Sequence, residues 1–420
     1  MAVKLGNGNW AVKEDKLLAY NDNSGLFFNK EFDFTRGSTA TYVGRDGLIA
    51  SAASGVPRID FTNDTKGHLL LEPQSTNLLQ RSNEFDNSYW GKVNVTVTAN
   101  SAISPDGTNN AFLLNVGTAN DDHSLRKSGL SPTSTYSVSI FAKKGSTDYV
   151  WFLCGGASRG VQAIFDLSDG SVTDSGTVGT GQTLVAAKSV DMGNGWYRLI
   201  MEAETTAAPT NNLTITPYYQ STFSGNTSTP WQGNNETIYI YGAMNEESSF
   251  ATSYIPTTGA ASTRNTDVCN NSGSAQDFNS EEGVLYAEIQ GLVENSPARV
   301  ISIGEGLNFE NGIIMSFDTS NNLIKYKVRS NNITTVDISK GGVDRTLNHK
   351  IAVTFKVNDF QIWLDGSKVV STTSGAVPLS LSKIQFSDMN VTGSPFYGKV
   401  RNVQVFTEAL TDEQLEKLTS

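Results

Sequence analysis

The chain has 420 residues, 38% of them hydrophobic and 17% charged, and 42 acidic against 31 basic residues leave a net charge of −11. That length exceeds one ordinary core, so two domains and a smaller terminal segment are expected. The acidic balance argues against a nucleic-acid partner, which needs a basic face, and no run approaches the roughly 18 apolar residues of a membrane span.

In chain order, the start Met1-Ala-Val-Lys-Leu-Gly-Asn7 lacks the apolar stretch of a secretory signal, so the expectation is a protein assembled in the cytoplasm where it is made. Residues 1–35 are polar with scattered aromatics (Trp10, Tyr20, Phe27, Phe28) and no sustained period. Residues 36–80 carry short strands and close on Leu69-Leu-Leu-Glu-Pro-Gln-Ser-Thr-Asn-Leu-Leu79. Together 1–80 read as an irregular N-terminal segment without its own core, of the kind that orders against a partner. Residues 81–256 hold enough short alternating runs for one sandwich, among them Tyr136-Ser-Val-Ser-Ile-Phe141 and Ile238-Tyr-Ile-Tyr241. Residues 257–279 form a polar connector, and 280–420 a second sandwich.

In that last stretch Ile351, Val353, Phe355 and Val357 share one strand face, with Ala352, Thr354 and Lys356 on the other. Asp-Gly pairs at 46–47, 106–107, 169–170 and 365–366 sit between such runs and predict hairpin turns. One helix is predicted, over the last ten residues: Thr411 and Gln414 make a capping box, with Leu415 and Leu418 on one face. No repeat of fixed period is present, which argues against a solenoid or propeller. The fold class is therefore all-β, tandem antiparallel sandwiches.

The ordered motifs narrow this further. The segment 69–79, Ser82-Asn-Glu-Phe-Asp-Asn-Ser-Tyr-Trp90, Ser104-Pro-Asp-Gly107, Gly193-Asn-Gly-Trp-Tyr-Arg198, Ile238-Tyr-Ile-Tyr-Gly-Ala-Met244 and Ala251-Thr-Ser-Tyr-Ile-Pro256 follow one another, with Arg264 and Asp267 after them. This series resembles the carbohydrate-binding-module-like jelly roll of bacteriophage tail and head-fibre proteins, over about half the chain. Phe360-Gln-Ile-Trp-Leu-Asp-Gly366 and Tyr397-Gly-Lys-Val-Arg-Asn-Val-Gln-Val-Phe406, followed by Ala409-Leu-Thr-Asp-Glu-Gln-Leu415, resemble the closing elements of a laminin-G-like, concanavalin-A-like sandwich.

The resemblance implies a non-enzymatic virion protein, a fibre or surface decoration, assembled in the bacterial host cytoplasm. It implies docking to other virion proteins through residues 1–80, attachment to host-surface glycans, and a homotrimer. The alternatives are a purely structural capsid or tail component, or an accessory module of a carbohydrate-active enzyme. Fold alone does not choose among them.

Catalysis finds little support. A glycosidase needs two carboxylates across one bond. Glu305 and Glu310 are five apart and interrupted by Gly306, while Glu282 and Glu288 share strand parity three steps apart and Glu281 does no better. His68, His123 and His349 accompany no nucleophile motif and read as turn or surface residues, and Cys154 and Cys269 as unpaired thiols. Sugar binding in such sandwiches uses aromatic faces stacked on pyranose rings. Trp90 and Trp196 sit in family positions and are expected to be structural. Trp231, in a loop near Tyr218 and Tyr219, is the preferred stacking surface, and Trp363 is a further candidate because it alternates away from Ile362 and Leu364. The default for each is packing. Calcium, bound by oxygen ligands, is the one cofactor these folds suggest, with Asp121 and Asp122, or Asn83 and Asp86 beside Glu84, as candidate ligands and solvated acidic loops as the default.

Overall fold

The computed structural model describes residues 2–5, 10–13, 16–21, 30–131, 134–156, 159–206, 211–223, 230–292, 299–306, 310–318, 322–389 and 394–420. Phe27 and Phe28 lie outside them, as does the side chain of Tyr20. The described chain is all-β with one short helix, and it divides into two compact units. One unit comprises Met1–Thr39, Ala52–Pro73 and Asn265–Ser420; the other comprises Ala40–Ser51 and Gln74–Arg264.

This division corrects the succession of segments expected from the sequence. Residues 1–80 are not a separate arm. Ala2–Leu5 pairs antiparallel with Gly398–Phe406, and His68–Leu71 pairs with the same strand. Asp33–Thr35 pairs with Val268–Asn270, inside the stretch expected to be a connector. Trp10, Leu17 and Phe32 are buried in the core of the C-terminal unit, where the Trp10 indole donates to the Val400 carbonyl at 2.7 Å. Local patterning cannot reveal such pairings, because the partner strand lies hundreds of residues away.

The unit built around 74–264 is a jelly-roll sandwich of two six-stranded antiparallel sheets among the described residues. The first runs Gly91–Val93, Ser124–Leu130, Asn211–Tyr218, Tyr149–Gly156, Arg159–Asp166, Val172–Gly179. The second runs Val95–Ala102, Ala111–Val116, Thr237–Glu246, Thr135–Lys144, Trp196–Thr205, Gln182–Asp191. Alternation aims Val150, Phe152, Val161, Phe165, Leu213 and Ile215 from one sheet at Leu114, Val138, Ile140, Leu199 and Ile240 from the other. Each such side chain contributes about 1.5–3 kcal/mol on full burial.

Its ends are tied by polar groups drawn from the motifs at either end of the recognised series. Asn77 donates to the carbonyls of Ala243 and Ile255. Ser82 meets the Tyr254 hydroxyl at 2.9 Å, and the buried Glu246 carboxyl accepts from Ser75. Trp90 and Trp196 are buried and donate to the carbonyls of Arg81 and Ile103.

In the C-terminal unit an eleven-stranded sheet faces a five-stranded one, counted among the described residues. Glu282–Gly291, His349–Lys356, Asp359–Leu364 and Gly398–Phe406 form the middle of the larger sheet; Arg299–Gly304, Gly312–Phe317 and Ile324–Ser330 form the middle of the smaller. Ile351, Val353 and Phe355 point into the core as their period predicts, but the strand ends at Lys356 and Val357 is exposed in the following turn. Asp365 and Gly366, both at positive φ (46° and 82°), make the predicted two-residue hairpin. The helix Asp412–Thr419 starts on the predicted capping box, with Thr411 accepting from the Gln414 amide. It buries Leu415 against Val284, Tyr286, Ala352 and Trp363.

Candidate functional site

The strand Tyr149–Gly156 sends its even-numbered side chains into the core of the jelly-roll unit and Tyr149, Trp151 and Leu153 to the outer face of its sheet. Directly opposite residues in an antiparallel pair project to the same face. Tyr218, opposite Tyr149, and Ile164, opposite Trp151, therefore join them. A half-buried Phe223 and a half-buried Trp231 pack on this apolar patch.

The rings form a chain: Trp151 to Tyr218 at 5.0 Å, Tyr218 to Tyr219 at 4.7 Å, and Tyr219 to Trp231 at 4.7 Å with planes 32° apart. Trp231 is held from its other neighbours edge-on, by Tyr218 at 5.9 Å and by His123 at 4.7 Å. The short strand Trp231–Gln232 pairs with Asn120–Asp121, and Gln232 donates to the Thr118 carbonyl, so the backbone beneath Trp231 is fixed. His123 is fixed too, its ring nitrogens 3.0 and 3.1 Å from the carbonyl oxygens of Asn94 and Ala119.

The structure thus brings together three of the residues singled out from the sequence and gives them different roles. Tyr218 is buried (1% exposed) and supports the cluster from below. Tyr219, 40% exposed, and the half-buried Trp231 form its outer surface. Two tilted rings with an open side are what the apolar face of a pyranose stacks on. Trp151 and His123 were not singled out; both needed the register of strands that lie far apart in the chain.

Trp363 belongs elsewhere. It is 5% exposed, its indole donates to Gln361 at 2.6 Å, and the C-terminal helix lies over it. Alternation did turn it away from Ile362 and Leu364, but that face of the sheet is covered rather than open.

Two of the acidic candidates for calcium, Asp122 and Glu84, are paired to cations. Asp122 forms an ion pair with Arg126, Asp121 accepts from the Asp122 amide, and Glu84 pairs with Arg81. Asn83 accepts from the Gly242 amide at 3.2 Å. Asp86 is exposed, and only its backbone carbonyl is seen to bond, accepting from Lys92. Among the described residues no group of three or more His, Cys, Asp or Glu side chains gathers as metal ligands would.

The three histidines are buried, not in turns or on the surface as expected. His349 has one ring nitrogen 2.7 Å from the Asp365 carboxylate and the other 2.7 Å from the Asp344 carbonyl, which takes the position a nucleophile would need. His68 lies 3.4 Å from Asp60 and 3.5 Å from Asp64. Burial lowers its pKa from the ordinary value of 6.5 more than Asp64 raises it, and Lys399 lowers it further. Asp64 is held well below the usual carboxylate range, first by its contact with His68 and then by the Lys66 amide and Arg401.

Asp64, Arg401, Glu288 and Asn402 line a polar cleft of about 370 Å³ in the C-terminal unit. Its carboxylates are paired to Arg401, at 2.8 Å from Asp64 and 3.5 Å from Glu288. Glu282 is paired to Lys356 at 2.8 Å, and Glu305 accepts from Asn311. Both cysteines are free and buried, and burial raises the Cys154 thiol to about 12.

No protein-family model matches the chain, and no curated protein matches it. Among solved structures it is similar to the CBM40 domain of Ruminococcus gnavus IT-sialidase bound to α2,3-sialyllactose, with 14% identity over 36% of this chain and 94% of that one, TM-score 0.31. It is similar to domains LG4-5 of the mouse laminin α1 chain, with 11% identity over 70% and 88%, TM-score 0.23. It is also similar to Trypanosoma rangeli sialidase in complex with sialic acid, with 10% identity over 99% and 76%, TM-score 0.27. Likeness at this level establishes neither a shared family nor a shared ligand.

Proposed function

We propose that the chain is a non-enzymatic glycan-binding protein, a bacteriophage fibre or surface-decoration protein, that holds saccharides on the Tyr219–Trp231 platform of its jelly-roll unit. The observation that carries the binding reading is the pair of rings 4.7 Å apart, tilted by 32° and partly open, on a backbone pinned by strand pairing. Large aromatic area held rigid loses little entropy on binding, which suits the weak, directional stacking of sugars. The virion role rests on the ordered sequence motifs, and the trimer on the same resemblance.

The absence of catalysis is supported by how the carboxylates are used. Glu282, Glu288 and Glu305, three of the carboxylates weighed for catalysis, are each engaged by a cation or an amide. A purely structural virion role is the second reading, favoured by the burial of Tyr218 and Trp363. A glycan-array screen of the full chain against Trp231→Ala separates the two. Specific binding by the parent that the variant loses supports the platform; equal signals from a folded variant, or none from the parent, support the structural role.

A further inference from the structure

The charge around the platform points to the class of saccharide it takes, an inference that rests on reading the platform as a sugar site. Asp121 stands directly opposite Trp231 and is exposed. Asp166 stands opposite Tyr149, itself opposite Tyr218. The Asp174 carboxylate accepts from the Phe223 amide at 3.0 Å, and the Phe223 ring lies 5.5 Å from Trp151.

Two further carboxylates adjoin the cluster, each with its own cation: Asp122 with Arg126, and Asp148 with Lys144. Among the described residues, no ion pair engages Asp121, Asp166 or Asp174. The chain from 219 to 235, which supplies the outer rings, carries no charged side chain at all. The rings therefore sit beside Asp121 and Asp174, which no cation pairs among the described residues, while Asp166 lies within reach of the Lys144 charge and Arg126 is committed to Asp122.

We propose that this platform selects saccharides that are uncharged or amino-substituted and turns away uronic, sialic and sulfated ones. An acidic sugar stacked on Trp231 places its anion beside Asp121 without a cation to meet it, whereas a hydroxyl or ammonium group finds acceptors there. The selection is electrostatic, so it weakens as salt shortens the Debye length.

Trp231 makes this measurable. The other five tryptophans, Trp10, Trp90, Trp151, Trp196 and Trp363, are all under 9% exposed, so collisional quenching of the full chain's fluorescence reads Trp231. The Trp231→Ala protein supplies the background. At low ionic strength and without sugar, caesium should quench Trp231 about twice as efficiently as iodide, each scaled to a free tryptophan derivative. Asp121→Asn with Asp174→Asn, whose amide oxygens preserve both backbone contacts, should erase the difference. Iodide quenching equal to or above caesium overturns the charge selection whether or not any sugar binds.

The second arm measures protection of Trp231 from acrylamide by matched oligomers of N-acetylglucosamine, glucosamine and galacturonate. The first two should protect and the third should not. Protection by galacturonate as strong as the others overturns the selection and leaves the platform standing. Protection by none of the three, with the caesium preference intact, counts against the platform itself.

Discussion

At the scale of single residues, the tryptophans show how far sequence reasoning reaches. Trp363 read as outward-facing by alternation, and Trp231 as a loop residue able to stack on a sugar. Alternation was right about the direction of Trp363, but whether an outward face is open depends on what lies over it, and here the C-terminal helix does. Trp231 had no strand period at all, and its half-buried position comes from a two-residue pairing with Asn120–Asp121. His68 was expected at the surface because one histidine carries no local signal of burial. Its folded-state pKa lies below the unfolded value near 6.5, so the unfolded chain takes up the proton more readily. The stability this neutral ring contributes is present above pH 6.5 and lost as pH falls below it. The melting temperature should drop between pH 7.5 and 5, and His68→Gln should flatten that slope; an unchanged slope would mean other groups set it.

At the scale of elements, the features that were legible are those written in a few adjacent residues. The Thr411 to Gln414 capping box predicted the one helix, and Asp365-Gly366 predicted its hairpin. Removing the cap with Thr411→Ala should cost about 1 kcal/mol of helix stability. Because Leu415 packs on Trp363, hydrogen exchange of the 412–419 amides should quicken and the Trp363 region should loosen with them. Exchange that changes nowhere would show the cap to be dispensable. The ring cluster is the opposite kind of element. Tyr218 and Tyr219 are adjacent to each other, but their partners Trp151, His123 and Trp231 are reached only by strand register, which no single-sequence pattern states.

At the scale of the whole molecule, the all-β class and the motif series of the jelly roll were legible, and the division into units was not. The C-terminal unit recruits residues 1–39 and 52–73 through pairing and through buried charge. Asp267 is shared between Arg36 at 3.1 Å and Arg58 at 2.5 Å, with Glu72 on Arg58 at 2.8 Å, all with side chains under 5% exposed. Arg36, Arg58 and Glu72 lie before the stretch Gln74–Arg264 of the other unit and Asp267 after it, so this network fastens the recruited segments to the unit's later part. Asp267→Ala withdraws the carboxylate both guanidinium groups share and should destabilise the unit by about 3–5 kcal/mol. Denaturation monitored through Trp10 and Trp363, both in that unit, would read it, and a loss below about 1 kcal/mol would contradict a fastening role.

The central claim is that Tyr219 and Trp231 hold a sugar. Its most direct test is the affinity of the full chain for the glycan it selects on an array, measured by calorimetry beside Tyr219→Ala and Trp231→Ala. Each ring contributes stacking of about 1 kcal/mol or more, so each variant should bind at least about five-fold more weakly while melting within a few degrees of the parent. Unchanged affinity in both variants would contradict the account and place the binding surface elsewhere.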